Sequence, residues 1–251
     1  MARALINRLS HSFPVSDSDR EALHRLGAIP RSYARGETIV EAGEAAGRVF
    51  WIESGCAARY RMTRNDGDRQ ILNLMLEGDV FDLQAVIETR VDHSVTALND
   101  VVASMVDARA FIELVRSRPA LAAAFWWAAV LEESILREQI VRIGRRGAIQ
   151  RLAHLLCEIY RRELLTDGRE DGMIQAPLTR ETLADLLGLS SVHVSRTLSR
   201  LKALNIVSVR QGRIVLDDLD RLVEIGEFDP RYLHLPREHR FGGGETGADA
   251  G

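Results

Sequence analysis

Cysteine is almost missing from this chain. Cys56 and Cys157 stand 101 positions apart with no CxxC spacing, too few thiolates for a zinc site or an iron–sulfur cluster. Such a chain suits a reducing cytoplasm. Long apolar runs are missing too: the longest, Leu121 to Leu131, is about half a membrane span. The amino terminus lacks an apolar core and is broken by charge, so neither a signal peptide nor a membrane partner is expected. Overall charge imbalance is absent, with a formal net charge of −3, which argues against indiscriminate coating of nucleic acid. The most informative absence is local. From Leu186 to Leu216 there is no carboxylate, while Arg196, Arg200, Lys202, Arg210 and Arg213 all fall within that window. Any contact with nucleic acid must therefore be confined and oriented.

The stretch Pro177 to Leu216 reads as helix, tight turn, second helix and short hairpin. Thr179 can cap the first helix, with Thr182 standing where a full capping box has Glu or Gln. Leu183, Ala184, Leu186 and Leu187 give that helix an apolar face, and Gly188 supplies the turn. Ser190 or Ser191 caps the second helix, and Val194, Leu198 and Leu201 bury one side of it. A helix dressed in hydroxyls and arginines with no acid beside them suits phosphates and base edges. A basic solvated face is the plainer alternative; the agreement of Ala184, Gly188 and Val194 favours a helix-turn-helix. The candidate DNA-binding residues are Thr179, Arg180, Ser190, Ser191, Val192, His193, Ser195, Arg196, Ser199, Arg200 and Lys202. Ile206–Val209 and Arg213–Leu216 flank Gln211-Gly212 as a wing hairpin.

Ahead of this unit the pattern is different. Ser16 or Ser18 opens a short helix ending near Gly27 and Pro30. Short strands follow, at 38–40, 49–52, 56–62, 70–76, 94–98 and 101–106, separated by glycine-bearing turns of which Asn65-Asp66-Gly67 is the clearest hairpin signal. Such spacing predicts an antiparallel jelly-roll barrel. Alternation along 56–62 places Cys56 toward the barrel interior. The segment between Asp79 and Ser94 breaks the strand pattern, as a ligand pocket or partner contact would.

A short helix from about Ala108 gives way at Pro119 to a long one ending near Arg146, with Phe125, Ala128, Leu131, Ile135, Leu136, Ile140 and Ile143 as its apolar stripe. Pairing with a second copy would bury that stripe, the plainer alternative being core packing inside one chain. Trp126 and Trp127 are adjacent, so at least one packs on the barrel. Arg142, Arg145 and Arg146 suit a helix carboxyl terminus, and Gly144 and Gly147 mark a hinge. The fold class is α+β, with a sensor barrel at 15–117, a dimerisation helix at 118–146, a winged helix-turn-helix domain at 147–228 and a flexible tail at 229–251.

From about residue 15 to 234 the chain resembles the CRP/FNR superfamily of bacterial transcription regulators, above all in LTRETLADLLGLSSVHVSRTLSRL. The resemblance implies a cytoplasmic homodimer presenting two recognition helices to a roughly palindromic site, with half-sites about 34 Å apart, and RNA polymerase as a further partner. It implies that Arg196, in Val194-Ser195-Arg196, reads a guanine. Relatives commonly carry glutamate where this chain has Val192, so their operator sequences are not implied. For the sensor, the Gly-Glu and Arg-Ser pairs of the cyclic-AMP binders correspond to Asp82-Leu83 and His93-Ser94. Loss of the ribose acceptor and the permanent cation leaves cyclic AMP unexpected and no cofactor assigned. Haem sensing would need an axial histidine, for which His93 is a poor candidate. Two rival classes stay open. A cupin-type metal enzyme would need clustered histidines, and this barrel offers His93 alone; a protein-binding signalling module would use the helix-turn-helix without DNA. No enzyme activity is expected.

Overall fold

A computed structural model describes residues 2–11, 13–63, 67–87 and 90–234 of the chain. The barrel strands are β1 (Ile29–Tyr33), β2 (Thr38–Val40), β3 (Arg48–Ser54), β4 (Ala57–Met62), β5 (Arg69–Met75), β6 (Val80–Phe81), β7 (Ser94–Ala97) and β8 (Val101–Asp107). They form two four-stranded sheets, in the orders β1-β8-β3-β6 and β2-β7-β4-β5, with every pair antiparallel. Phe50, Ile52, Ala57, Met75, Phe81 and Val95 fill the space between them. Two of these strands had no signal in the sequence. β1 is an edge strand exposed at all but Tyr33, so it carries no apolar alternation, and β6 is two residues long and exists through its pairing with β3. β4 and β5 pair as a hairpin down to Met62 opposite Arg69; the turn residues 64–66 lie outside the described residues.

The expectation for Cys56 is corrected. Ala57 belongs to the space between the sheets, whereas Cys56 and Ala58 are buried on the opposite face with Leu152 and Leu156. Alternation separates two sets of side chains but does not say which set faces inward when helices cover the outer face as well. Burial raises the Cys56 thiol well above its usual range and pushes Cys157 up to about 12. Neither sulfur should react with a thiol-specific disulfide reagent in the native state, and both should react after denaturation. Fast labelling of folded protein would refute this placement.

The helices are α1 (Arg3–Ser10), α2 (Asp17–Arg25), α3 (Ala108–Ser117), α4 (Pro119–Arg145), α5 (Ala148–Asp167), α6 (Arg180–Leu187), α7 (Ser191–Ala203) and α8 (Leu219–Gly226), and β9 (Val207–Arg210) pairs with β10 (Arg213–Leu216). α1 lies ahead of the expected boundary at residue 15, which is corrected to include it. Its Leu5, Ile6 and Leu9 pack with Trp51, Phe111 and Phe125. A Cβ at Gly78, whose φ is +83°, would come within 2.7 Å of the Ala4 carbonyl oxygen and the Arg8 Cβ, so α1 sits directly on the β5–β6 turn. There Asp79 receives Arg8 from α1 at 3.3 Å and Arg162 from α5 at 2.6 Å. No side chain caps α1, which removed the start signal by which a short helix is read.

α4 differs from its expected single stripe. Phe125, Leu131 and Ile135 are buried within the protomer, while Ile140 is 68% exposed and Trp126 75%. Trp127 is the indole that turns inward, meeting Phe13 edge-on at 6.5 Å. By length and hydropathy α4 could cross a membrane; its buried side is the part occupied by this packing.

The joint between α4 and α5 is built on Arg142, which lies in the last turn of α4 and is only 1% exposed. It donates to Gln139 Oε1 at 2.6 Å, to His154 Nδ1 at 3.2 Å and to the Glu158 carboxylate. Tyr232 Oη also donates to Glu158, at 2.8 Å. Tyr232 belongs to a 3₁₀ turn, Pro230–Leu233, whose Leu233 is buried. The expected flexible tail is thus corrected as far as His234; residues 235–251 lie outside the described residues.

Burial, with Arg142 and Arg146 beside it, pushes His154 down to about 2. A histidine held neutral in the fold takes up its proton only on unfolding, so its contribution to stability is complete above about pH 6.5 and falls as the pH drops below that value. Between pH 6.5 and 5 this site alone should cost up to about 1.4 kcal/mol per pH unit. Denaturation of His154→Gln should lose that slope; an unchanged slope would assign it to other groups.

Candidate nucleic-acid interface

α6 and α7 are held in place by caps and by contacts from the rest of the chain. Thr179 Oγ1 accepts from the Thr182 N–H at 3.1 Å, and Gly188 closes α6 in the left-handed conformation at φ +61°. The last carbonyls of α6, which a helix leaves without internal partners, are taken by three other elements. Gln70 of β5 donates to the Asp185 oxygen at 2.6 Å, Gln139 of α4 to the Leu186 oxygen at 2.6 Å and Arg151 of α5 to the Leu187 oxygen at 3.0 Å. Arg69 adds an ion pair with the Asp185 side chain at 2.7 Å. The barrel, the long helix and α5 therefore all grip the helix that precedes α7. None of these partners was read from the sequence, because each pairing joins positions 36 to 116 residues apart.

Ser190 caps α7, its Oγ accepting from the His193 N–H at 3.2 Å. Val194, Leu198 and Leu201 bury the inner side, as the spacing implied, and Thr197 joins them. Ser190, Ser191, Val192, His193, Arg196, Ser199, Arg200 and Lys202 are exposed, and Ser195 is half-buried with its hydroxyl donating to the Ser191 carbonyl at 2.9 Å. Arg180 is exposed at the start of α6, and half-buried Thr179 is its cap. Among the described residues the side chains of Arg196, Arg200 and Lys202 form no ion pair. The wing turns through Gln211 and Gly212 at φ +51° and +77°, a two-residue turn that fits a twisted hairpin. One wing cation is not free: Arg210 pairs with Asp217 at 2.9 Å, just past the acid-free window.

The barrel candidates divide. Asp82, buried and at φ +60°, accepts from His93 Nε2 at 2.9 Å and from Arg59 at 3.4 Å. Arg59 also pairs with Glu132 of α4. His93 Nδ1 lies 3.0 Å from Asp92, whose carboxyl is held below its usual range by that hydrogen bond. Ser94 faces elsewhere, accepting from the Ala42 N–H at 3.1 Å, and Leu83 packs with the α1–α3 core. Arg59 and Glu132 are the residues that sequence reasoning missed here. Arg59 could have been suspected as a cation in an apolar strand, whereas nothing local marks Glu132. Among the described residues no three His, Cys, Asp or Glu side chains group in a way that could hold a metal.

Residues 30–118 match the cyclic nucleotide-binding domain and residues 150–225 the Crp-like helix-turn-helix domain. The transcriptional activator protein FnrL of Cereibacter sphaeroides is 30% identical over 222 residues, covering 86% of this chain and 88% of that protein. The nitrogen fixation regulation protein FixK of Azorhizobium caulinodans is 29% identical over 187 residues, 74% of each chain. Among solved structures, FixK2 from Bradyrhizobium japonicum superimposes with a TM-score of 0.71 at 28% identity, covering 79% of this chain and 96% of that one.

Proposed function

Given that the chain belongs to the CRP/FNR family of transcription regulators, we propose that it binds a specific, roughly palindromic DNA site as a homodimer and regulates transcription there. The observation that carries this reading is the outer face of α7, where Arg196, Arg200 and Lys202 stand exposed and unneutralised on a helix fixed from behind. Exposed cations aimed from a rigid helix can reach both phosphates and base edges. Dimerisation is supported by α4, whose exposed Trp126 and Ile140 are two heptads apart and whose Val141 is also exposed. A cytoplasmic setting follows from this role, and RNA polymerase is the partner through which activation would act.

The barrel is read as a module that does not bind cyclic nucleotide. A nucleotide phosphate needs an available cation, and the guanidinium nearest Asp82 and His93 is engaged by Asp82 and Glu132. Titration with cyclic AMP by calorimetry should give no binding heat and no thermal shift; micromolar affinity would overturn this part of the reading.

Selection from a random pool of double-stranded DNA by the purified full chain tests the main proposal. Enrichment of a two-fold symmetric motif, with affinity falling by ~0.9 log units per log unit of salt for each phosphate neutralised, is the expected result. A protein-binding module would enrich nothing and show no such slope.

A further inference from the structure

The outermost line of α7 carries an apolar side chain where a DNA-facing helix would be expected to carry donors and acceptors. At 100° per residue, Val192, Arg196, Ser199 and Ala203 fall within about 60° of one another, opposite Val194, Leu198 and Leu201. Val192 is 62% exposed, in the first turn, between the Ser190 cap and Arg196. Isolated apolar residues on a surface are ordinary. This one is centred on the face that the proposed function lays in the major groove, and no carboxylate occurs within the 31 residues from Leu186 to Leu216.

We propose that Val192 reads the 5-methyl group of a thymine. The inference rests on the DNA-reading function and adds a base to it. Of the groups that base pairs present in the major groove, the thymine methyl is the apolar one, and a branched aliphatic side chain can cover it without leaving a donor or acceptor unpaired. Helix geometry also places the base. Four residues of α7 rise about 6 Å, against ~3.4 Å per base-pair step. The thymine therefore lies within two steps of the base pair that Arg196 contacts. Cytosine has no methyl there, and its amino group needs an acceptor that Val192 does not have.

The test begins with the motif selected by the wild-type chain. At each thymine within two steps of the base pair protected by Arg196, the base is replaced by deoxyuridine, which removes the methyl and nothing else, and dissociation constants are measured. One position should lose about fourfold per half-site, the effect of one buried carbon, and about fifteenfold when both half-sites carry the change. Val192→Ser should bind the thymine and deoxyuridine sites equally. Val192→Glu should shift preference at that position toward cytosine, whose amino group a carboxylate can accept. The inference is overturned if no deoxyuridine substitution matters, or if Val192→Ser keeps the same methyl dependence. A 5-methylcytosine arm separates the two sources of the same methyl: tighter binding to 5-methylcytosine than to thymine would also overturn it. Failure to enrich any motif would instead refute the DNA-reading function on which it stands.

Discussion

Glu158→Ala should lower the free energy of unfolding by about 3–5 kcal/mol, measured by urea denaturation near pH 7 at one fixed protein concentration. The reason is what the substitution leaves behind. Arg142 is almost wholly buried where α4 meets α5, and Glu158 is the carboxylate that directly pairs with it. Gln139 and His154 satisfy two more of its N–H groups and contribute no opposite charge. Without Glu158 the guanidinium keeps its desolvation penalty and loses the attraction that offsets it. Tyr232 loses its acceptor as well, so the 3₁₀ turn that holds the end of the described chain loosens with the joint. Replacing both charges, as Arg142→Met with Glu158→Leu, should recover part of the loss, because an apolar pair carries no desolvation cost while Gln139, His154 and Tyr232 still lose their hydrogen-bond partners. A single-variant loss below about 1 kcal/mol would be that of an exposed pair and would show that water reaches this joint.

Arg196→Ala should weaken binding to the selected operator by about 1–3 kcal/mol per half-site, so that a symmetric site loses twice that amount, while binding to unrelated DNA changes far less. Arg196 lies on the exposed side of α7, one turn after Val192, with no acid paired to it. A guanidinium in that position can offer two parallel donors to a guanine edge, and those donors find no match on another base. Competition titrations with operator and scrambled duplexes at one salt concentration separate the outcomes. Equal losses on both duplexes would make Arg196 a phosphate clamp. Arg200→Ala and Lys202→Ala serve as the comparison, since a phosphate contact weakens all sequences alike and lowers the salt slope by about one.

The Arg142 joint and the recognition helix meet at α6. The helix that sets the attitude of α7 has its last carbonyls held by Gln70, Gln139 and Arg151, from three different elements. Gln139 is also hydrogen-bonded to Arg142. Disturbing the joint should therefore reach the recognition helix through a continuous set of contacts, and Glu158→Ala should weaken specific DNA binding in addition to lowering stability.

Whatever depends on near neighbours can be read from the order of residues alone. The helix-turn-helix was legible because its cap at Thr179, its turn at Gly188 and the inner side of α7 at Val194, Leu198 and Leu201 are all decided within a few residues, by helix periodicity and backbone preference. Six barrel strands and the long helix were legible for the same reason. Whatever depends on which element covers a surface becomes visible only in the folded chain. Cys56 turned to the opposite face because α5 lies over the outer side of β4, and the α4 stripe was divided because Phe125 packs edge-on against Phe111 of α3 and Leu131 joins the core shared with α5, leaving Trp126 and Ile140 exposed. The ion pair Arg142–Glu158, buried, and the pairs Arg162–Asp79 and Arg59–Glu132, half-buried, join positions 16, 83 and 73 residues apart. Periodicity can mark a residue as buried or exposed, but a charge becomes tolerable inside a protein only when a particular opposite charge is brought to it, and that pairing is a property of the folded chain.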